Sequence, residues 1–126
     1  ATTGYQLGAH GLLQFTNNGL DSVYVVGAGR EAVTGDPSDR GKFKVPSLRN
    51  VEYSYPYMHD GRFQTLAEVL DFYEMGGHPS PTLDPNMKAV GVGRNWSIAQ
   101  KQGLLDFLKT FSDPAFLTDT SFTDPW

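Results

Sequence analysis

The chain contains no cysteine among its 126 residues. That excludes disulfides, thiolate metal sites and cysteine nucleophiles, and it leaves the redox compartment open. Long apolar runs are missing too, because no stretch approaches the roughly 20 residues that a bilayer-spanning helix needs. Ala1-Thr-Thr-Gly4 has neither the basic nor the apolar segment of a signal peptide, so any targeting segment is expected to have been removed already. Basic residues are few, ten against fourteen acidic ones for a net charge of −4, and they are dispersed. Phosphate-rich partners need clustered Lys and Arg, so neither nucleic acid nor an anionic membrane surface is an expected partner. His10, His59 and His78 match no zinc spacing, and Asp36, Asp39, Asp60 and Asp84 fall in separate turns. No serine sits in the G-x-S-x-G elbow of an α/β-hydrolase.

What the chain does have is fourteen glycines and eight prolines, a content that points to long ordered loops. Its length gives a single domain, residues 1–126, with no repeat or low-complexity linker to divide it. Residues 1–22 read as irregular structure ending in a turn at Asn17-Asn18-Gly19. Val23-Tyr-Val-Val26 is β-prone but short, and Asp36-Pro-Ser-Asp-Arg-Gly41 is a cluster of turn formers, so at most a short β-hairpin is expected there.

Two segments read as helices with their own start signals. Thr65 and Glu68 have the spacing of a capping box, Leu66, Val69, Leu70 and Tyr73 follow at i, i+3, i+4 and i+7, and Gly76-Gly77 ends the run. Ser97 and Gln100 repeat the box, Ile98, Leu104, Leu105, Leu108 and Phe111 supply an apolar face, and Asp113-Pro114 is expected to stop the helix. The tail from Phe116 to Trp126 has neither period and reads as an extended arm.

Tyr24-Val-Val-Gly27-Ala-Gly29-Arg-Glu-Ala32 matches the strand and G-x-G-x-x-A of a dinucleotide-binding turn. That chemistry needs a helix opening directly after the glycines so that its N-terminus meets the pyrophosphate. Val33-Thr-Gly-Asp-Pro37 should break such a helix within a few residues, and a plain loop is the better expectation. Gly91-Val-Gly93 carries no specific signal, and Ser97 of the sequon Asn95-Trp-Ser97 is better explained as a helix cap.

The remaining run is different in kind. Phe43-Lys-Val-Pro-Ser-Leu-Arg-Asn-Val51, Tyr55-Pro-Tyr-Met-His-Asp-Gly-Arg-Phe63 and the helix opening Thr65-Leu-Ala-Glu-Val69 combine unusual residues in an order that packing alone does not demand. With Phe15-Thr-Asn-Asn-Gly-Leu20 before them and Leu104-Leu-Asp-Phe-Leu-Lys-Thr110 after, they cover nearly the whole chain. This pattern resembles the C-terminal haem domain of the bacterial di-haem cytochrome c peroxidases, a family that includes MauG. The resemblance implies a mainly α, cytochrome c-like helical domain with long ordered loops, the C-terminal domain of a larger two-domain protein. The family attaches each haem through C-x-x-C-H, and the motif serving this domain should lie just before about residue 10, where the chain has none. Three accounts stay open: the attachment segment lies upstream of Ala1, the sequence is incomplete there, or the domain has lost its haem. The first is the expectation.

Residue by residue, the resemblance implies the following roles. Fourteen positions beyond the turn histidine His59, where the high-potential peroxidases carry Met and the MauG-like branch carries Tyr, stands Tyr73, the candidate axial ligand of haem c. Helix geometry agrees, since Tyr73 lies within about 20° of Leu66 around the helix axis, and the alternative Met75 falls on the opposite face. A core aromatic with no ligand role satisfies the same geometry. Arg49 is expected near a haem propionate or, equally, as a loop-pinning side chain. Met58 and His59 are expected beside the haem without binding its iron. Backbone carbonyls of Ser54 and Pro56 are candidate calcium ligands.

The implied activity is reduction of hydrogen peroxide to water, with electrons relayed through a haem here to a peroxidatic haem in an N-terminal domain, so that this chain alone is inactive. A small donor protein such as a cytochrome c or a cupredoxin would supply the electrons, in the periplasm or another extracytoplasmic space. Homodimerisation stays open. The alternatives are MauG-like oxidation of a partner protein and a haemless interaction module of the same fold.

Overall fold

The computed structural model describes residues 14–24 and 28–122. Among them, four helices and one two-stranded sheet are joined by long loops: β1 (Phe15–Thr16), α1 (Glu31–Thr34), β2 (Phe43–Lys44), α2 (Leu66–Met75), α3 (Ile98–Lys109) and α4 (Pro114–Thr118). The pattern fits a small helical cytochrome-like domain.

α2 begins where its capping box puts it. Thr65 Oγ1 accepts the Glu68 amide at 3.2 Å, and the Glu68 carboxylate accepts the Thr65 amide at 3.1 Å and the Gln64 amide at 2.6 Å. Such a cap stabilises a helix by about 1 kcal/mol. The helix ends at Gly76, whose φ of +98° disfavours a side chain and where a Cβ would drive into the Ala89 carbonyl. Leu66, Leu70 and Phe72 are buried, each worth about 1.5–3 kcal/mol of apolar transfer. Phe72 lies outside the expected stripe. It packs between Phe63, at 6.0 Å between ring centroids, and Tyr73, T-shaped at 5.1 Å, so the helix is covered over a wider arc than one 3.6-residue stripe.

α3 likewise starts at its capping box, with the Gln100 amide donating to Ser97 Oγ at 3.2 Å and the Ser97 amide to Gln100 Oε1 at 2.9 Å. Its apolar face is only half covered: Leu104, Leu105 and Leu108 are half-buried, whereas Ile98 in the first turn is 91% exposed. Lys101 joins α3 to α2 through Asp71 at 2.7 Å and through Glu74. Two expectations at this end are corrected. α3 stops at Lys109, and Asp113-Pro114 opens α4 instead of closing α3. The Asp113 carboxylate caps the Phe116 amide at 3.2 Å, while proline, which lacks an N–H and has its φ fixed, suits a first helical position. The tail as far as Phe122 is therefore α4 and a 3-10 turn, not an extended arm, and residues 123–126 lie outside the described residues.

The sheet is not a hairpin. β1 pairs antiparallel with β2 in the register Phe15↔Lys44 and Thr16↔Phe43, so the paired strands flank the region where a hairpin was expected. Of the β-prone run, Val25 and Val26 lie outside the described residues. α1 does follow Gly29, but it lasts four residues, and the Arg30 amide that would meet a pyrophosphate donates to the Lys42 carbonyl at 2.8 Å. The dinucleotide reading ends there.

The buried apolar residues are Leu20, Tyr24, Leu66, Leu70, Phe72, Met87 and Ala89, and the buried polar ones are Asn50 and Asn17, the latter with no exposure at all. The Asn17 Nδ2 donates to Ser80 Oγ and Thr82 Oγ1, each at 2.9 Å, and its Oδ1 accepts from the Gly19 amide and the Tyr24 hydroxyl, each at 2.9 Å. Burial pushes the Tyr24 phenol up, so it remains a neutral donor. Thr82 Oγ1 passes the connection on to the Arg40 carbonyl at 2.6 Å. The expected turn at Asn17-Asn18-Gly19 is thus closed by a side chain onto its own backbone, with Gly19 at φ +72°.

The same loop is held from outside by Arg62, which reaches Asp21 at 2.9 and 3.0 Å and Asp60 at 2.7 and 2.8 Å. Those bonds hold the Asp60 carboxyl below the usual carboxylate range.

Two outcomes follow. Asn17→Ala should lower unfolding stability by about 3 kcal/mol, because it strands buried donors and acceptors, and urea unfolding measures the difference. A loss under about 0.5 kcal/mol would remove Asn17 from the centre of the fold. For Asp60 the depressed folded-state pKa means that its pairing stabilises above the unfolded value near pH 4 and is lost as pH falls through the folded value. Asp60→Asn should therefore flatten the acid side of the stability profile below about pH 4 while leaving its neutral side parallel to wild type.

Candidate functional site

Tyr73 stands in the last turn of α2, half-buried, with its ring in a T-shaped contact with Phe72. Its hydroxyl oxygen accepts a hydrogen bond from Asn18 Nδ2 at 3.2 Å. The same amide nitrogen lies 3.7 Å from Met58 Sδ. A phenol oxygen and a thioether sulfur, from α2 and from the Met58-His-Asp-Gly61 turn, therefore converge on one asparagine.

Each of the three pieces is fixed locally. Asn18 follows the buried Asn17, and its loop is bonded to the segment after α2 through His78 N–H to the Gly19 carbonyl at 2.7 Å. Met58 has φ +70°, a left-handed conformation uncommon for a side-chain-bearing residue, in a turn closed by a bridge between Tyr57 and Phe63. Arg62 ties that turn to the Asn18 loop through Asp60 and Asp21. Tyr57 pins the preceding loop, donating to the Val51 carbonyl at 2.8 Å, and burial pushes its phenol up.

The other residues singled out from the sequence lie elsewhere. His59 is exposed and stacks flat on Phe43, with ring centroids 3.9 Å apart and 15° between the planes. Arg49 is 67% exposed at its side chain, pairs with Asp113 at 3.2 Å and sits 5.7 Å above the Phe116 ring, which anchors α4. Met75 is 49% exposed, on the far side of α2 from the core. Ser54 and Pro56 are exposed in the loop before the turn, and the Tyr55–Pro56 peptide is cis. Among the described residues no group of three or more His, Asp or Glu side chains is placed to hold a metal ion.

Asn18 is the residue of this cluster that reading the sequence did not single out. Its signal was present in the pair of asparagines before a glycine, where one amide closes the turn and the next is free to reach outward.

The donor chemistry fits one position of a haem iron. A tyrosine oxygen that accepts one hydrogen bond from Asn18 retains a second lone pair, enough for a metal bond, and an anionic oxygen is an established axial ligand type. Covalent attachment is a separate matter, since the sequence carries no cysteine to form the thioether links.

No family model matches the chain. Individual relatives do. It is 40% identical over 80 residues, 64% of its length, to the cytochrome-c peroxidase IdrP1 of Pseudomonas sp. (strain SCT), covering 20% of that protein. It is 34% identical over 115 residues, 86% of its length, to the methylamine utilization protein MauG of Methylorubrum extorquens, covering 31% of that protein. Among solved structures, 94% of the chain superposes on 41% of a MauG-like protein associated with microbial copper homeostasis, with a TM-score of 0.73 and 37% identity. The chain thus spans between about a fifth and a third of the length of these two curated relatives. With this similarity across most of its length, the chain belongs to the family of di-haem cytochrome c peroxidases and MauG.

Proposed function

We propose that this chain is the C-terminal cytochrome c-type domain of a di-haem peroxidase-like oxidoreductase, and that Tyr73 is the axial ligand of its haem c. The observation that carries the reading is the convergence of the Tyr73 oxygen and Met58 Sδ on the Asn18 amide nitrogen, with Met75 turned outward at 49% exposure. When bound, haem supplies reversible one-electron chemistry at iron. The protein's part is to hold an oxygen donor at a fixed point on α2. An anionic phenolate favours the higher oxidation state, whereas a neutral thioether favours the ferrous one. Tyr73 therefore biases this site away from a high-potential, simple electron-entry role.

The family resemblance suggests roles for the other residues. Met58 presents a polarisable thioether to the same asparagine, and the exposed His59 of the same turn stacks on Phe43 of β2. Arg49 uses one guanidinium nitrogen on Asp113 and keeps the rest of its fork exposed, which suits pairing with a propionate. The carbonyls of Ser54 and Pro56 would offer hard oxygen ligands to calcium if an N-terminal peroxidatic domain completed the site.

The net reaction of the assembled protein would be hydrogen peroxide plus two electrons and two protons giving two waters. The electrons would come from a small donor protein in an extracytoplasmic space. No helix of the described residues is long and apolar enough to cross a membrane. A MauG-like oxidation of a partner protein is the second reading, favoured by the tyrosine at position 73 and by the 86% of the chain that aligns with MauG.

Produced together with a C-x-x-C-H segment in cells that mature c-type cytochromes, this domain should carry a Soret band, with the covalent haem mass on that segment, since the domain itself has no cysteine. Tyr73→Met should raise the reduction potential and introduce a thioether-to-iron charge-transfer band absent from wild type. Colourless protein under those conditions would favour the haemless module, and a thioether band already present in wild type would refute Tyr73 as ligand.

A further inference from the structure

We infer that Asn18 is the positioning residue that sets the donor strength of Tyr73, an inference that rests on Tyr73 being the haem ligand. The amide nitrogen of Asn18 is 3.2 Å from the phenol oxygen and 3.7 Å from Met58 Sδ. Both neighbours of this nitrogen are acceptors once the phenol is ionised, so only the NH₂ end of the asparagine fits between them. The aim is built in rather than a matter of a free rotamer. Asn17, the preceding residue, has no exposure and uses both ends of its amide on Ser80, Thr82, Gly19 and Tyr24. On the other side, the Gly19 carbonyl accepts the His78 amide at 2.7 Å, just beyond the end of α2. Asn18 is thus held between two anchored neighbours while its side chain reaches 55 positions along the sequence to Tyr73.

A hydrogen bond to an anionic oxygen draws electron density from it and stabilises it in place. One lone pair would then serve the iron and another would accept from Asn18, two demands that a phenolate oxygen meets together. The consequence is a weaker donor than an unassisted tyrosinate. Asn18 therefore offsets part of the ferric preference that Tyr73 imposes, and it fixes the direction in which the oxygen lone pair points.

The test uses the haem-loaded protein and three substitutions. Asn18→Leu removes the donor, and the ferric-to-ferrous ratio at a fixed potential should rise roughly tenfold, the scale of one charge-assisted hydrogen bond. The phenolate-to-iron charge-transfer band should move to lower energy. Asn18→Asp keeps the shape, removes the donor and should move both readouts the same way, so the inference stays testable if the leucine variant does not fold. Asn18→Ser restores a hydroxyl donor and should recover part of each shift. Potential and band unmoved in the Leu and Asp variants, while Tyr73→Phe abolishes the band, would reduce Asn18 to a structural role and leave the ligand assignment standing. A band that survives Tyr73→Phe would overturn both.

Discussion

The Asn17 side chain lies wholly inside the protein, and each end of its amide is matched by two partners from the chain itself. A buried polar group costs free energy unless it is paired, so this arrangement persists only while its loop, the Tyr24 ring and the Ser80–Thr82 segment are in place together. Few apolar side chains are fully buried in the described residues, and no residue of α3 is. The organisation of the loops consequently rests on directed polar bonds to a greater degree than on apolar area. Thr82, bonded both to Asn17 and to the Arg40 carbonyl, carries that organisation to the loop that leads into β2.

The candidate site inherits its geometry from this interior. α2 is started by the Thr65–Glu68 box and packed through Leu66, Leu70 and Phe72, which fixes where Tyr73 stands. The Asn17 loop delivers Asn18 to the same point, and Arg62 holds that loop to the turn bearing Met58. Three segments far apart in sequence thus meet at one amide nitrogen, that of Asn18.

Those elements whose causes are local were legible in the sequence. The two capping boxes start α2 and α3 because a side chain and an amide three residues apart are all that such a signal needs. Tyr73 was found by its spacing on α2 and by family resemblance, and its half-buried position agrees with the stripe. Where the causes are distant, sequence alone fell short. Two-residue strands have no period to read, so the pairing of Phe15–Thr16 with Phe43–Lys44 was invisible. Asp113-Pro114 is chemically both a stop and a start, and only the intervening Thr110–Ser112 turn decides between them. The contact of Asn18 with Tyr73 spans too much chain for any motif to announce it. Arg49 and His59, expected from resemblance as neighbours of the haem, are each engaged by a partner of their own, Asp113 in one case and Phe43 in the other.

The central claim is that an oxygen of Tyr73 is the protein's own bond to the haem iron. Resonance Raman spectroscopy of the ferric protein, excited within the charge-transfer band, tests it most directly. The account predicts enhanced tyrosinate ring vibrations that shift when the protein is grown on ring-deuterated tyrosine and vanish in Tyr73→Phe. A ferric spectrum without tyrosinate modes, or with modes indifferent to the substitution, would contradict it.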